Sequence, residues 1–346
     1  MKILIAPMNW GLGHASRCIP LISKYVADGC EVVIAGDGES LALLHKYFPD
    51  QRTIVFPSLN LKYSKGNSQI WAIAKALPRL ISWSVRDHYA LKRLLATERF
   101  DRIISDNRFG LYVTLKPKSR YFGRYAKPKK PRRRTKEPET IYITHQLMIK
   151  APRGWRWLEP LMASLHRHII LKYTHCWIPD YAGPENLSGD LSHKLPLPRN
   201  AKFIGPLTRF PVKQTSVMTE ADEQKGNEAG KVQYDIVVVL SGLEQQRTLL
   251  EQQIVKHYAG REEQVLVVRG KPDMPCTMVK NDNITLVPHM DDKSLQEALT
   301  GAETILARSG YSTIMDLHAL GCLYKARLVA TPGQPEQEYL ASLYSR

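Results

Sequence analysis

Cysteine is scarce in this chain of 346 residues and badly spaced for either of its structural uses. The five cysteines, Cys18, Cys30, Cys176, Cys276 and Cys322, are widely separated and form no C-x-x-C pair. That excludes a disulfide framework and a zinc site of common spacing, and points to a reducing, cytoplasmic setting. No window of 18 apolar residues occurs, so no segment reads as a membrane span. The short apolar run at the N-terminus is no match for the core of a signal peptide. Asp-x-Asp, a spacing that can hold a divalent ion, is also absent. Acidic residues are in deficit, 33 against 49 Lys plus Arg, and the resulting charge of +16 implies attraction to polyanions. With 43% hydrophobic and 24% charged residues the chain is neither disordered nor fibrous, and its length suits two domains.

What is present alternates. Lys2 to Pro7 is an apolar run of strand length, NWGLGH follows, and a helical pattern covers Ala15 to Ala27. Strand, glycine loop and helix open an α/β unit of the nucleotide-binding kind. Further strand-like runs stand at 31–36, 52–56, 102–105, 141–144 and 174–178 with helical stretches between them. After FIGPL at 203–207 comes a polar stretch, 212–233, too poor in apolar residues to pack, which reads as a flexible insert. The pattern restarts at Tyr234 with YDIVVVL and continues through QVLVVRG, NITLVP, ETILAR and ARLVAT. The expectation is an α/β chain of two Rossmann-like domains, 1–204 and 205–346, facing each other across a cleft at the carboxyl ends of their sheets.

Residues 116–139 hold eleven Lys or Arg against two Glu, +9 of the total charge. Their prolines and lack of periodicity exclude a core role. The segment reads as an exposed basic arm, either simply solvated or docking on anionic lipid headgroups. Tyr121, Phe122 and Tyr125 are too few aromatics for a nucleic-acid surface, so no specific nucleic acid is expected. Residues 153–173 mix Trp155, Trp157, Leu158, Leu161 and Met162 with Arg153, Arg156 and Arg167. They form either an amphipathic helix on the core or an interfacial anchor, and exposure of both tryptophans decides between the two.

The residues that could carry chemistry sit at predicted strand ends. In LARSGYSTIMDLHALG, 306–321, Arg308, Ser309 and Gly310 form the turn after a strand, and a helix begins near Tyr311 or Ser312. Free backbone N–H groups and the helix dipole make an anion site there, to which Ser309, Ser312 and Thr313 add hydroxyls. A diphosphate fits it. Asp316, further along that helix, could accept from ribose hydroxyls, and Gln334, Glu336 and Gln337 in TPGQPEQEYLA suit the hydroxyls of a sugar. His14 ends the first glycine loop at a helix start, where a neutral imidazole is favoured and can act as a base; the alternative is a structural cap. Asp106, past the fourth strand, could orient or replace it, or be a turn residue. His145 holds the same topological position one strand along, on the acceptor side. Asp291-Asp292 reads as a helix N-cap rather than a metal pair, and Cys18 as a buried apolar residue.

RSGYSTIMDL followed by TPGQPEQEYLA, with GLGH near the N-terminus, resembles the GT-B glycosyltransferases of the MurG type, and the likeness spans nearly the whole chain. It identifies LSGLEQQR, with Ser241 and Gly242, as the first donor loop of the second domain, and counts Tyr311 among the donor residues. LVPHM, with His289 and Met290, is similar to the strand end that reads a uracil-type base. ISDNRFG, with Asn107, and ITHQL, with His145 and Gln146, resemble acceptor-side strand ends, and Gly11 and Gly13 are counted on the same acceptor side. The resemblance implies transfer of a sugar, N-acetylglucosamine, from a UDP-sugar to a lipid-linked or cell-envelope glycan, with inversion. It implies no cofactor and no metal, Arg308 and helix N-termini meeting the charge of the departing diphosphate, and a place on the inner face of the cytoplasmic membrane. Chains of this type continue past the glutamine-bearing helix, so a short C-terminus, ending at Arg346, is expected. Two alternatives remain: a UDP-sugar epimerase or hydrolase on the same fold, and a non-catalytic relic that binds nucleotides or lipid surfaces.

Overall fold

The opening run forms β1 (Lys2–Pro7), buried from Ile3 onward, and the glycine loop leads into α1 (Gly13–Ala27). The computed structural model describes residues 1–59, 69–113, 137–212, 234–242, 244–275 and 277–345. Next come β2 (Glu31–Gly36), α2 (Gly38–Tyr47), β3 (Arg52–Val55), α3 (Gln69–Thr97), β4 (Arg102–Asp106) and β5 (Glu139–Ile143). A 3-10 turn at Arg153–Leu158 runs into α4 (Glu159–Ile170), followed by β6 (His175–Ile178), the single-turn α5 (Asp190–His193) and β7 (Ala201–Phe203). The seven strands pair in parallel in the order β3-β2-β1-β4-β5-β6-β7. Strand order therefore reverses between β1 and β4, and the crevice beyond their carboxyl ends is where sheets of this kind take ligands.

The second sheet repeats the plan. Its elements are β8 (Ile236–Val239), α6 (Gln246–Tyr258), β9 (Val265–Val268), β10 (Val279–Asn281), β11 (Ile284–Val287), α7 (Asp292–Gly301), β12 (Thr304–Arg308), α8 (Tyr311–Ala319), β13 (Ala326–Val329) and α9 (Pro335–Tyr344). They order as β10-β11-β9-β8-β12-β13, reversing between β8 and β12. Only β10 is antiparallel among the described strands, an exposed three-residue edge turned back by Asp282 at a φ of 47°. Each sheet is packed on both faces, as the continuous Val and Ile runs require. A further cluster crosses between the two halves: Leu187 and Leu191 pack with Tyr311, Ile314, Met315 and Leu340. At about 1.5–3 kcal/mol for each large apolar side chain fully buried, this cluster fixes how the two sheet edges face each other.

The basic segment 116–139 and the polar insert 212–233 lie outside the described residues except at their ends. No helix among the described residues is long and apolar enough to cross a membrane. Trp155 and Trp157 are both exposed, 38% and 73%, and stack on each other beside exposed Leu161 and Leu165. The core-facing helix begins only after them, with Ala163, His166 and Ile170 turned inward.

Candidate active site

Both glycine loops sit at the sheet reversals, and they touch. Gly11, at a φ of 77°, faces Gly242 so closely that a Cβ on Gly11 would meet the Gly242 Cα at 3.4 Å, and a Cβ on Gly13 would run into the Ser312 hydroxyl. The absence of side chains at these positions is what lets the mouth of the first sheet approach the N-terminus of α8. His14 follows Gly13 directly, at the start of α1.

Its direct partners come from β4 and from its own helix, and through them it reaches His145 and the second domain. Nδ1 of His14 lies 2.8 Å from Oδ1 of Asp106, the last residue of β4. Arg17, one helical turn along α1, donates from Nε and Nη2 to both Asp106 oxygens. Its Nη2 is also 2.9 Å from His14 Nδ1, and its Nη1 is 3.1 Å from Nδ1 of His145, just past β5. Nε2 of His145 meets Oε1 of Glu336 on α9 at 2.7 Å, and Gln146 donates to the other Glu336 oxygen. His145 stacks flat on Tyr311, ring centroids 4.2 Å apart. Asp106, Arg17 and His145 are buried, whereas the His14 side chain keeps 16% of its surface exposed and its Nε2 has no hydrogen-bond partner among the described residues. Burial works against the Asp106 carboxylate, but the Arg17 guanidinium and then His14 outweigh it and hold the group down at about 2. Burial lowers His145 against the pull of Glu336, and Glu336 is itself held below its usual range because His145 more than offsets its own burial.

On the donor side the structure separates the candidates. The first turn of α8 is open: its N-cap is Gly310, with no side-chain cap, and the hydroxyls of Ser312 and Thr313 make no hydrogen bond among the described residues. Helix N–H groups left this way accept an anion. Arg308 is buried, gives Nη1 to the Ala330 carbonyl at 2.8 Å and Nη2 to the Gln246 carbonyl at 3.1 Å, leaves Nε unpaired, and has no carboxylate at ion-pair distance among the described residues. It sits as an uncompensated cation under the loops. Ser309 bonds the Gln337 carbonyl, and Gln337 accepts from Thr331 N–H, so both hold the loop shape. Asp316 turns toward the interdomain linker, taking the Thr208 hydroxyl at 2.7 Å, and burial pushes it up to about 6 despite Arg209. Tyr311 gives its hydroxyl to the Pro179 carbonyl of the first domain. His289 is pushed down to about 4 by burial and by Lys46 and Arg209, and Met290 packs on the second core. Gln334 N-caps α9.

Elsewhere, Asn107 adopts a φ of 56° and accepts the Tyr142 hydroxyl, so its side chain faces the packing rather than the cleft. Asp291 caps α7, accepting Ser294 N–H at 3.0 Å, in line with its sequence reading, while Asp292 reaches across the cleft to Tyr47 at 2.6 Å. Cys18 is buried, and its thiol is pushed well up, by burial and then by Asp106. Arg17 was not singled out by the sequence, although its i, i+3 spacing places it on the face of His14.

No family model and no curated protein matches the sequence. Solved structures do. UGT2 of Phytolacca americana, described as complexed with UDP-2-fluoro-glucose and pterostilbene, superposes with a TM-score of 0.53 at 14% identity over 99% of this chain and 82% of its own. The glycotransferase of kitacinnamycin gives 0.52 at 12% identity, covering 99% and 83%. The spinosyn rhamnosyltransferase SpnG gives 0.51 at 13%, covering 99% and 90%. The fold is GT-B. Within the GT-B frame, the His14–Asp106 pair stands at the reversal of the first sheet, and the open turn of α8 at the reversal of the second.

Proposed function

We propose that the chain transfers a sugar from a UDP-sugar to a hydroxyl acceptor by a single inverting displacement. The observation that carries this reading is the 2.8 Å His14–Asp106 contact beside the uncapped N-terminus of α8. Nδ1 of His14 faces both Asp106, which only accepts, at 2.8 Å and Arg17 Nη2, already donating to Asp106, at 2.9 Å; we assign its proton to the Asp106 contact, which leaves the Nε2 lone pair to act. That nitrogen takes the acceptor hydroxyl's proton as its oxygen bonds the anomeric carbon. The bond from that carbon to the diphosphate breaks, and UDP departs with the electron pair, its charge met by the first-turn N–H groups of α8 and, from below, by the field of Arg308. In this reading Gln334 and Ser312 contact the sugar, while Glu336 is taken up by His145 and Gln146. A charge met this way needs no divalent ion, so EDTA should leave turnover unchanged. The UDP-sugar bound in the Phytolacca americana structure supports the donor class. Within it we propose N-acetylglucosamine, from the MurG-type motifs.

The test is release of UDP from UDP-N-acetylglucosamine and from UDP-glucose, each with and without membrane extract. Transfer requires release that depends on the extract. Release without any acceptor would favour hydrolysis or epimerisation instead, and no release, together with no thermal stabilisation by UDP, would remove the reading. Bound UDP at 100 times its dissociation constant should add about 2.7 kcal/mol to stability.

A lipid-linked acceptor and a peripheral place on a cytoplasmic membrane belong to the same reading. The exposed Trp155–Trp157 stack, Leu161 and Leu165, flanked by exposed Arg153 and Arg156, support it, since tryptophan and arginine together suit a headgroup boundary. Trp155→Ala with Trp157→Ala is expected to weaken co-sedimentation with phosphatidylglycerol vesicles roughly tenfold, about 1.4 kcal/mol. Equal sedimentation of variant and wild type would count against this surface.

A further inference from the structure

Arg17 lies outside every step written above, yet it is the most heavily engaged buried cation in the site. We propose that Arg17 is a positioning residue that keeps His14 an acceptor of protons, by cancelling the charge of Asp106, and that through His145 it ties this state to Glu336 of the second domain.

A carboxylate against an imidazole does two things. It fixes which nitrogen carries the first proton, and it attracts a second, which would convert the base into an imidazolium with nothing left to accept. The groups facing His14 are few. From β4 comes Asp106, from α1 Arg17, from the end of β5 His145, and from α9, beyond His145, Glu336. Cys18 and Tyr142, also nearby, are pushed up by burial and stay uncharged. With Arg17 present, Asp106 is already paired at both oxygens. Without it, the buried Asp106 and the half-buried Glu336 would face two imidazoles with no fixed cation between them, and each imidazole would be drawn toward its charged form.

The donor and acceptor inventory places the remaining protons. A guanidinium only donates, so Nδ1 of His145, 3.1 Å from Arg17 Nη1, must be the lone pair. The proton of His145 is then on Nε2, where Glu336 Oε1 receives it at 2.7 Å. His145 is therefore the opposite tautomer to the one assigned to His14 from its Asp106 contact, and Arg17 touches both rings. A single ion pair for stability would need neither the fork over both Asp106 oxygens nor the contact with His145. Because Glu336 and the Tyr311 ring that stacks on His145 belong to the second domain, the arrangement is complete only with the cleft in this geometry.

That His14 acts as the base rests on the proposed function; the placement of its proton does not, and the experiment separates them. In the full chain labelled with 15N and 13C at histidine, the titration of His14 is followed by NMR in wild type, Arg17→Met and Arg17→Lys. The midpoint of His14 protonation is expected to rise by about one pH unit or more in Arg17→Met, a tenfold gain in proton affinity. In Arg17→Lys, which keeps the charge, it should rise far less. The acidic limb of the pH dependence of UDP release should move up with it, whereas a merely structural role would lower the plateau and leave the limb in place. An unmoved His14 midpoint in folded Arg17→Met overturns the proposal, and so does a shift of equal size in Arg17→Lys. Should Arg17→Met fail to fold, Arg17→Gln removes the same charge while keeping amide hydrogen bonds, and its midpoint decides. Full activity of a His14→Ala variant would instead overturn the functional reading and leave the titration result standing.

Discussion

Replacing His14 by alanine is expected to lower acceptor-dependent release of UDP by about 10²-fold or more, the range typical of a lost general base, while UDP still stabilises the protein against heat. The two halves of that outcome come from different domains. The proposed proton acceptor stands on α1 against a partner on β4, and the groups proposed for the diphosphate belong to α8 and β12. The side chain at 14 is partly exposed, so its removal leaves no buried cavity, and thermal stability should change little. Asp106→Asn sharpens the test. An amide nitrogen in place of Oδ1 can donate to Nδ1, which moves the imidazole proton to Nε2, the atom that must be free. The expected loss of turnover is about 10²–10⁴-fold. This variant also strips Arg17 of its counter-charge and should lower the midpoint of thermal unfolding, so kinetics and stability are measured together. Undiminished turnover in His14→Ala would remove the imidazole from the mechanism, whatever the nucleotide does.

How far the sequence reaches depends on how local each cause is. Strands β1, β2 and β12 lie close to where their Ile and Val runs place them, because a strand covered on both faces must be apolar at nearly every position. β10 escapes such a reading, since its three residues are exposed and carry no pattern. The His14–Asp106 pair was legible as a pair of candidates, each at the carboxyl end of a strand. That they touch depends on β4 lying next to β1, which strand spacing along the chain does not reveal. Arg17 was missed for a related reason: an arginine in an amphipathic helix reads as its wet face until a buried carboxylate is put opposite it. Glu336 was assigned to sugar hydroxyls on the strength of its loop, and its contact with His145 needs the packing of the two domains. The Arg308 guanidinium was read as a diphosphate ligand. In the fold it spends two donors on the carbonyls of Ala330 and Gln246, so in the proposed function only its charge is left to meet a diphosphate.

Arg108→Leu is expected to cost about 3–5 kcal/mol of stability, as for other buried ion pairs broken on one side. Arg108 stands in the ISDNRFG segment and is fully buried. It makes a two-pronged contact with Asp87 of α3 at 3.0 and 2.9 Å, reaches Asp37 before α2 at 3.0 Å, and donates to the carbonyls of Pro7 and Pro57. One side chain thus ties the ends of β1 and β2 to α3 and to the segment after β3. Leucine fills part of the volume and satisfies none of it: Asp37 and Asp87 are left without their cation. Burial already raises Asp87 against the pull of Arg108, so in the variant it should be the first to take up a proton. The midpoint of thermal unfolding is expected to fall on the order of 10 °C. Arg108→Leu with Asp87→Leu should recover part of the loss, because the second change removes a stranded charge. A loss under about 1 kcal/mol for Arg108→Leu would contradict the account. The effect should also reach the chemistry. Asp37 accepts from Asn9 Nδ2 at 3.1 Å, and Asn9 opens the NWGLGH loop that carries His14, so the residual folded fraction should turn over more slowly than wild type.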